Sequence, residues 1–122
     1  MIAAMLSRAV QANANERRTF APGAIVFSAG DEGEEMFGVV SGQIELRDGD
    51  HVVTTIGPEG TFGEMAIVER APRSLTAVAT EATELAVIDR RHFLFLVTET
   101  PMFALDVMRS MAQRIHELNA AR

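Results

Sequence analysis

Phe62-Gly63-Glu64-Met65-Ala66-Ile67-Val68-Glu69-Arg70-Ala71-Pro72-Arg73-Ser74-Leu75-Thr76-Ala77 is the stretch on which the reading of this chain turns. It combines a glycine-led short helix, a proline turn, and an arginine and a serine that open a strand. Gly63 lets the backbone approach a ligand where a side chain would block it. Glu64, Met65 and Ala66 form the first turn of a helix, whose N–H groups have no partner within the helix and favour an anion. Arg73 supplies a fixed positive fork that suits phosphate oxygens, and Ser74 adds a hydroxyl and another backbone N–H. Glu64 is an acceptor-only carboxylate, suited to a sugar hydroxyl rather than a phosphate. Together these residues describe a pocket for a phosphorylated sugar.

The stretch closely resembles the phosphate-binding cassette of cyclic nucleotide-binding domains, which occur in catabolite-activator-like regulators, protein kinase regulatory subunits and cyclic-nucleotide-gated channels. Phe62, Gly63, Glu64, Met65, Ala66, Pro72, Arg73 and Ser74 match the family pattern at its spacing. The resemblance implies that Glu64 holds a ribose 2′-hydroxyl and that Arg73 and Ser74 hold a cyclic phosphate. The backbone of Gly63, Met65 and Ala66 would complete the cradle. Where many members continue with Ala-Thr-Val, this chain has Leu75-Thr76-Ala77; these are strand positions, so the departure bears on local packing.

Composition narrows the alternatives. At 122 residues the chain is expected to be one domain, and 48% hydrophobic residues suffice for a core. No cysteine is present, which excludes disulfides and thiolate-held zinc and makes the cytoplasm the expected location. A formal net charge of −6 argues against broad binding to nucleic acid or anionic membranes. It also means that an anion site must be built locally. No apolar run reaches the roughly 18 residues that suggest a membrane span.

Outward from the cassette, residues 2–13 place Ile2, Met5, Leu6, Ala9 and Val10 at helical spacing. Residues 17–89 read as short strands separated by glycine turns. Strands are expected at 24–28, 36–40, 43–47, 52–56, 75–79 and 85–88, with a hairpin turn at Asp48-Gly49-Asp50. Strands of this length and spacing suggest a barrel or sandwich. The resemblance narrows that to a mainly β fold, an eight-stranded antiparallel β-roll with an N-terminal helix and two C-terminal helices. On this reading the domain divides into a helix over 1–16, a roll over 17–89 with its cassette at 62–76, and helices over 90–122. Asp89 is a good N-cap for a helix over 90–97. Pro101 suits the first turn of the next, along which Phe103, Val107, Met108, Met111, Ile115 and Leu118 recur at spacings of three and four.

In the family this last helix closes over the base and often pairs with a second copy. That would bring Leu118 and Asn119 nearest the base. A homodimer through this helix, or an effector domain elsewhere, is the partner left open. No catalytic residue is assigned. His51, His92 and His116 are too far apart in sequence to suggest a cupin-like metal site, and no metal or other cofactor is expected. The expected ligand is cAMP, with cGMP also admitted because the family's hydroxyl residue after the arginine is present as Ser74. The alternative is an interaction or dimerisation module of the same fold with no nucleotide. The regulators' DNA-reading domain is not expected within this chain, so it reads as a free-standing sensor or the regulatory part of a longer protein.

Overall fold

The computed structural model describes residues 10–12, 14 and 16–120. Most of the expected N-terminal helix lies outside them; residues 10–12 are helical. Eight strands follow: β1 (Glu16–Phe20), β2 (Ile25–Phe27), β3 (Glu35–Ser41), β4 (Ile44–Asp48), β5 (His51–Ile56), β6 (Thr61–Phe62), β7 (Thr76–Ala79) and β8 (Thr83–Asp89). The helices are α1 (Glu64–Glu69), α2 (Arg90–Glu99) and α3 (Pro101–Ala120). All strand pairs are antiparallel, in two four-stranded sheets ordered β1-β8-β3-β6 and β2-β7-β4-β5. The expected fold class is borne out.

Side-chain parity explains how one sheet serves two cores. Along β8, Leu85 and Val87 enter the core between the sheets, while Ala86 and Ile88 enter a second core under the helices. Strand β3 does the same, with Phe37 and Val39 inside and Met36 outside. Both faces are covered, so Leu85-Ala86-Val87-Ile88 is a continuous apolar run rather than an alternating one. Strand β4 has a single buried face. Ile44 and Leu46 are buried, whereas Arg47 bonds Glu45 on its outer side.

The second core holds Phe93 and Leu96 of α2 and Phe103 and Val107 of α3. Phe93 meets Phe103 edge to face, with ring centroids 5.4 Å apart. Asp89 caps α2 as expected, its carboxylate accepting from the His92 backbone N–H at 2.9 Å. Thr100 has left the helical region (φ −136°, ψ 81°), as a residue before proline tends to, and α3 starts at Pro101.

Three details differ from the sequence reading. Strand β6 has only two residues, too few to show a period, and exists because Phe62 and Thr61 pair with Phe37 and Gly38. Strand β1 (Glu16–Phe20) pairs along its whole length with β8, although no separate strand was expected ahead of residue 24. Strand β7 begins at Thr76, so Arg73, Ser74 and Leu75 belong to the connection before it.

Candidate functional site

Between α1, the connection from Ala71 to Leu75 and the C-terminal half of α3 lies a cavity of about 280 Å³. Gly63, Glu64, Met65, Ala66, Arg73 and Ser74 line it, as do Leu46 and Phe27 from the roll and Met111, Arg114, Ile115 and Leu118 from α3. Phe62 is placed differently. Its ring is fully buried and stacks on Phe37 at 5.1 Å, beneath the site rather than along it. Asn119 is exposed and outside the lining, one residue beyond Leu118.

Arg73 is held from three directions. Its backbone N–H donates to the Asp31 carbonyl at 2.8 Å, and its own carbonyl accepts from Gly30 at 2.7 Å. Its Nη1 donates to the Gly63 carbonyl and its Nη2 to the Glu35 carbonyl, each at 2.9 Å. The guanidinium carbon lies 4.2 Å from the centroid of the Phe27 ring, a cation–π contact. Two glycines make the room. A Cβ on Gly33 would meet Arg73 Nη2 at 3.0 Å, and one on Gly63 would meet Arg73 Nη1 at 3.1 Å and the Glu35 carbonyl at 3.0 Å. Gly63 also sits at φ 89°, a region that glycine enters freely.

Arg73 is 7% exposed and its Nε has no hydrogen-bond partner. Burial pulls the guanidinium below arginine's ordinary pKa, while the charges of Glu35, Glu64 and Asp31 act in the opposite sense. An arginine remains charged under such a shift. The site is therefore a buried cation whose direct bonds go to neutral carbonyls.

Glu64 is 1% exposed at the first position of α1. Its Oε1 accepts from Arg114 Nη1 at 2.8 Å, and Arg114 Nη2 donates to the Thr61 carbonyl at 2.8 Å. Its Oε2 is buried without a partner. Among the described residues, Glu64 Oε2 and Arg73 Nε are the buried side-chain polar atoms left unpartnered, and both residues line this cavity. One is an acceptor and the other a donor. Buried polar groups are normally satisfied, so this cavity is bordered by two residues with bonding capacity to spare. A second hollow, of about 330 Å³, lies on the side of Arg114 toward residues 54–61 and is lined by neither Glu64 nor Arg73.

Arg114 is the residue that sequence reasoning passed over. A signal was present: it interrupts the apolar face formed by Met111, Ile115 and Leu118, at helical spacings of three and four. Its pairing with Glu64, 50 residues away, had no mark in the sequence. Among the described residues, no group of three or more His, Cys, Asp or Glu side chains is arranged to hold a metal ion. None of the described helices is long and apolar enough to cross a membrane.

Residues 17–100 match the family of the cyclic nucleotide-binding domain. The chain is 32% identical over 107 residues to the cyclic AMP receptor protein of Thermus thermophilus, covering 84% of this chain and 50% of that one. It spans half or less of the length of the curated relatives it matches. In structure it is similar to the Thermus thermophilus catabolite activator protein, with TM-score 0.81 and 28% identity over 96% of this chain and 57% of the other. It is also similar to a protein solved in work on a cyclic-GMP-dependent signalling pathway regulating bacterial phytopathogenesis. There the TM-score is 0.79 and the identity 28%, over 89% of this chain and 90% of that one.

Proposed function

The chain belongs to the cyclic nucleotide-binding domain family, and from that premise we propose that it binds a 3′,5′-cyclic nucleotide as a non-catalytic sensor, with cAMP favoured and cGMP also admitted. The observation that carries this reading is the pair of unpartnered buried atoms, Arg73 Nε and Glu64 Oε2, on residues that line one cavity. Arg73 takes the cyclic phosphate with Ser74 and the backbone of Gly63, Met65 and Ala66. Glu64 Oε2 accepts from the ribose 2′-hydroxyl while Oε1 stays with Arg114. Met111, Ile115 and Leu118 offer the base an apolar wall, with Asn119 at its edge. The cAMP in one relative's name, and the cyclic-GMP-dependent pathway in which another protein of this shape was studied, support keeping both bases.

The energy suffices. A hydrogen bond to a charged group contributes roughly 1.5–3 kcal/mol, and several donors with base burial reach the approximately 8 kcal/mol of a micromolar site. Ligand on Arg73 and Glu64 favours the arrangement in which α3 lies over the cavity, and the output is that shift of α3. A ligand moves such an equilibrium only by its difference in affinity for the two states. Calorimetric titration with cAMP, cGMP and 5′-AMP tests the reading. Saturable binding of a cyclic nucleotide at micromolar or tighter Kd, with 5′-AMP much weaker, is expected; no heat with either cyclic form, from protein free of co-purified ligand, would overturn it.

A second reading has its own observation. Leu105, Met108 and Ile115 on α3 are 38%, 62% and 56% exposed at spacings that align them in one stripe. This supports pairing with a second copy or docking on an effector domain, and sedimentation with and without nucleotide distinguishes a ligand-indifferent dimer from a sensor.

A further inference from the structure

Glu35 approaches the anion site in two ways that pull against each other. Its backbone carbonyl accepts from Arg73 Nη2 at 2.9 Å. Its side chain leaves β3 on the same face as Phe37, whose ring centroid is 5.8 Å from the Arg73 guanidinium carbon. A carboxylate starting there is a natural counter-ion for a buried arginine. The side chain instead binds Arg18 of β1 at two points, Nη1 to Oε1 at 3.0 Å and Nη2 to Oε2 at 2.7 Å. Arg18 is itself fixed from the other side by Glu16, Nε to Oε2 at 3.1 Å and Nη2 to Oε1 at 2.7 Å. Such fork-to-fork contacts add geometric specificity to the attraction between the charges.

We propose that Arg18 is a positioning residue of the anion site: by gripping the Glu35 carboxylate it keeps that group off Arg73, so that the guanidinium stays open to a phosphate. This rests on the cyclic-nucleotide reading above and adds to it a residue outside the cassette, 55 positions before Arg73 in sequence. Of the carboxylates acting on Arg73, Glu35 acts most strongly, ahead of Glu64 and Asp31, even while held by Arg18. Released, it is a competitor anchored within one hydrogen bond of the guanidinium. The Glu16 contacts raise the guanidinium of Arg18 above arginine's ordinary pKa, with those from Glu35 second; the grip is thus charged throughout the physiological range.

The test is a charge-removal cycle read by cAMP titration of wild type, Arg18→Gln, Glu35→Gln and the double variant, each with its thermal midpoint. Arg18 and Glu35 are about one-third exposed, so the released carboxylate is screened and Arg18→Gln should weaken binding by about fivefold. Glu35→Gln alone should bind as well as wild type or slightly tighter. The double variant should return to within about twofold of wild type, because no carboxylate remains to compete. A double variant as weak as Arg18→Gln would overturn the proposal and leave Arg18 a packing residue of β1; so would Arg18→Gln binding like wild type. If Arg18→Gln does not fold, Arg18→Lys, which keeps the charge without the two-point grip, should show a smaller loss that Glu35→Gln also reverses. Wild type without affinity for either cyclic nucleotide would instead overturn the functional reading, and this proposal with it.

Discussion

Two arginines line the same cavity and are treated in opposite ways. Arg73 lies in the connection ahead of β7, its side-chain bonds go to the carbonyls of Gly63 and Glu35, and among the described residues no carboxylate forms an ion pair with it. Arg114 comes from α3 and is in contact with Glu64 at 2.8 Å, in a pair whose side chains are 20% and 2% exposed. A carbonyl orients a guanidinium without neutralising it, whereas a carboxylate does both. The fold thus spends one cation on joining a helix to the cassette and keeps the other electrostatically open. On the proposed reading the first is part of the switch and the second is the anchor for the ligand.

The hardest test of this contrast is Arg73→Ala. Removing the open cation should weaken cyclic nucleotide binding roughly 100-fold or more, the equivalent of about 2.7 kcal/mol, measured by calorimetry on protein with an unchanged circular dichroism spectrum. Arg73→Lys should fall between, since it keeps the charge and loses the fork. An Arg73→Ala protein that binds as tightly as wild type would end the phosphate assignment.

Arg114→Met should reverse the emphasis. It leaves the Glu64 carboxylate buried without its cation, which for fully buried pairs costs about 3–5 kcal/mol. Arg114 is partly exposed, so a loss of roughly 2 kcal/mol in a urea titration is expected. Adding Glu64→Gln should recover much of it, because the uncompensated charge is gone. Nucleotide affinity should fall less than in Arg73→Ala. Equal losses of affinity in the two variants would erase the contrast.

Gly63→Ala acts first on the Arg73 side. At φ 89° an alanine is strained by about 1–2 kcal/mol, and its Cβ would press on Arg73 Nη1 and the Glu35 carbonyl. A drop in both stability and affinity is expected, with the Glu64–Arg114 contact intact. Loss of stability with unchanged affinity would show that Arg73 tolerates displacement.

The same contrast explains what the sequence revealed. Gly63, Glu64, Arg73 and Ser74 lie within one short stretch whose residue types each have a physical reason, so their convergence on one cavity was legible. The strands were legible too where one face is buried, as in Ile44-Glu45-Leu46, or where an apolar run is bounded by turns, as in residues 85–88. Strand β6 was not, because two residues carry no period and its existence depends on Phe37 and Gly38 across the sheet. Arg114 was hidden for a related reason. Its role depends on where α3 lies against α1, which is decided by packing such as Phe93 on Phe103 rather than by any local pattern. Arg18 and Glu35 are likewise brought together by the curl of a sheet in which β8 lies between their strands.

The smallest expected effect provides a control for Arg114. Asp89 caps α2, the helix that leads into α3, and its side-chain bonds are local: it accepts from the His92 backbone N–H and lies 3.2 Å from the His92 ring. The backbone bond, first among several contacts, holds its carboxyl below the ordinary aspartate pKa. A carboxylate with a lowered folded-state pKa stabilises the fold above its unfolded value and loses that contribution as pH falls through the folded value. Asp89→Ala should therefore lower stability by about 1 kcal/mol at neutral pH, and the gap to wild type should narrow as the solution is acidified below the ordinary carboxylate range. Nucleotide affinity should not change, because Asp89 lies outside the cavity lining. If it fell as far as in Arg114→Met, general loosening of the helices would account for both variants. If it did not, the Arg114 effect would belong to the ion pair that joins α3 to the cassette.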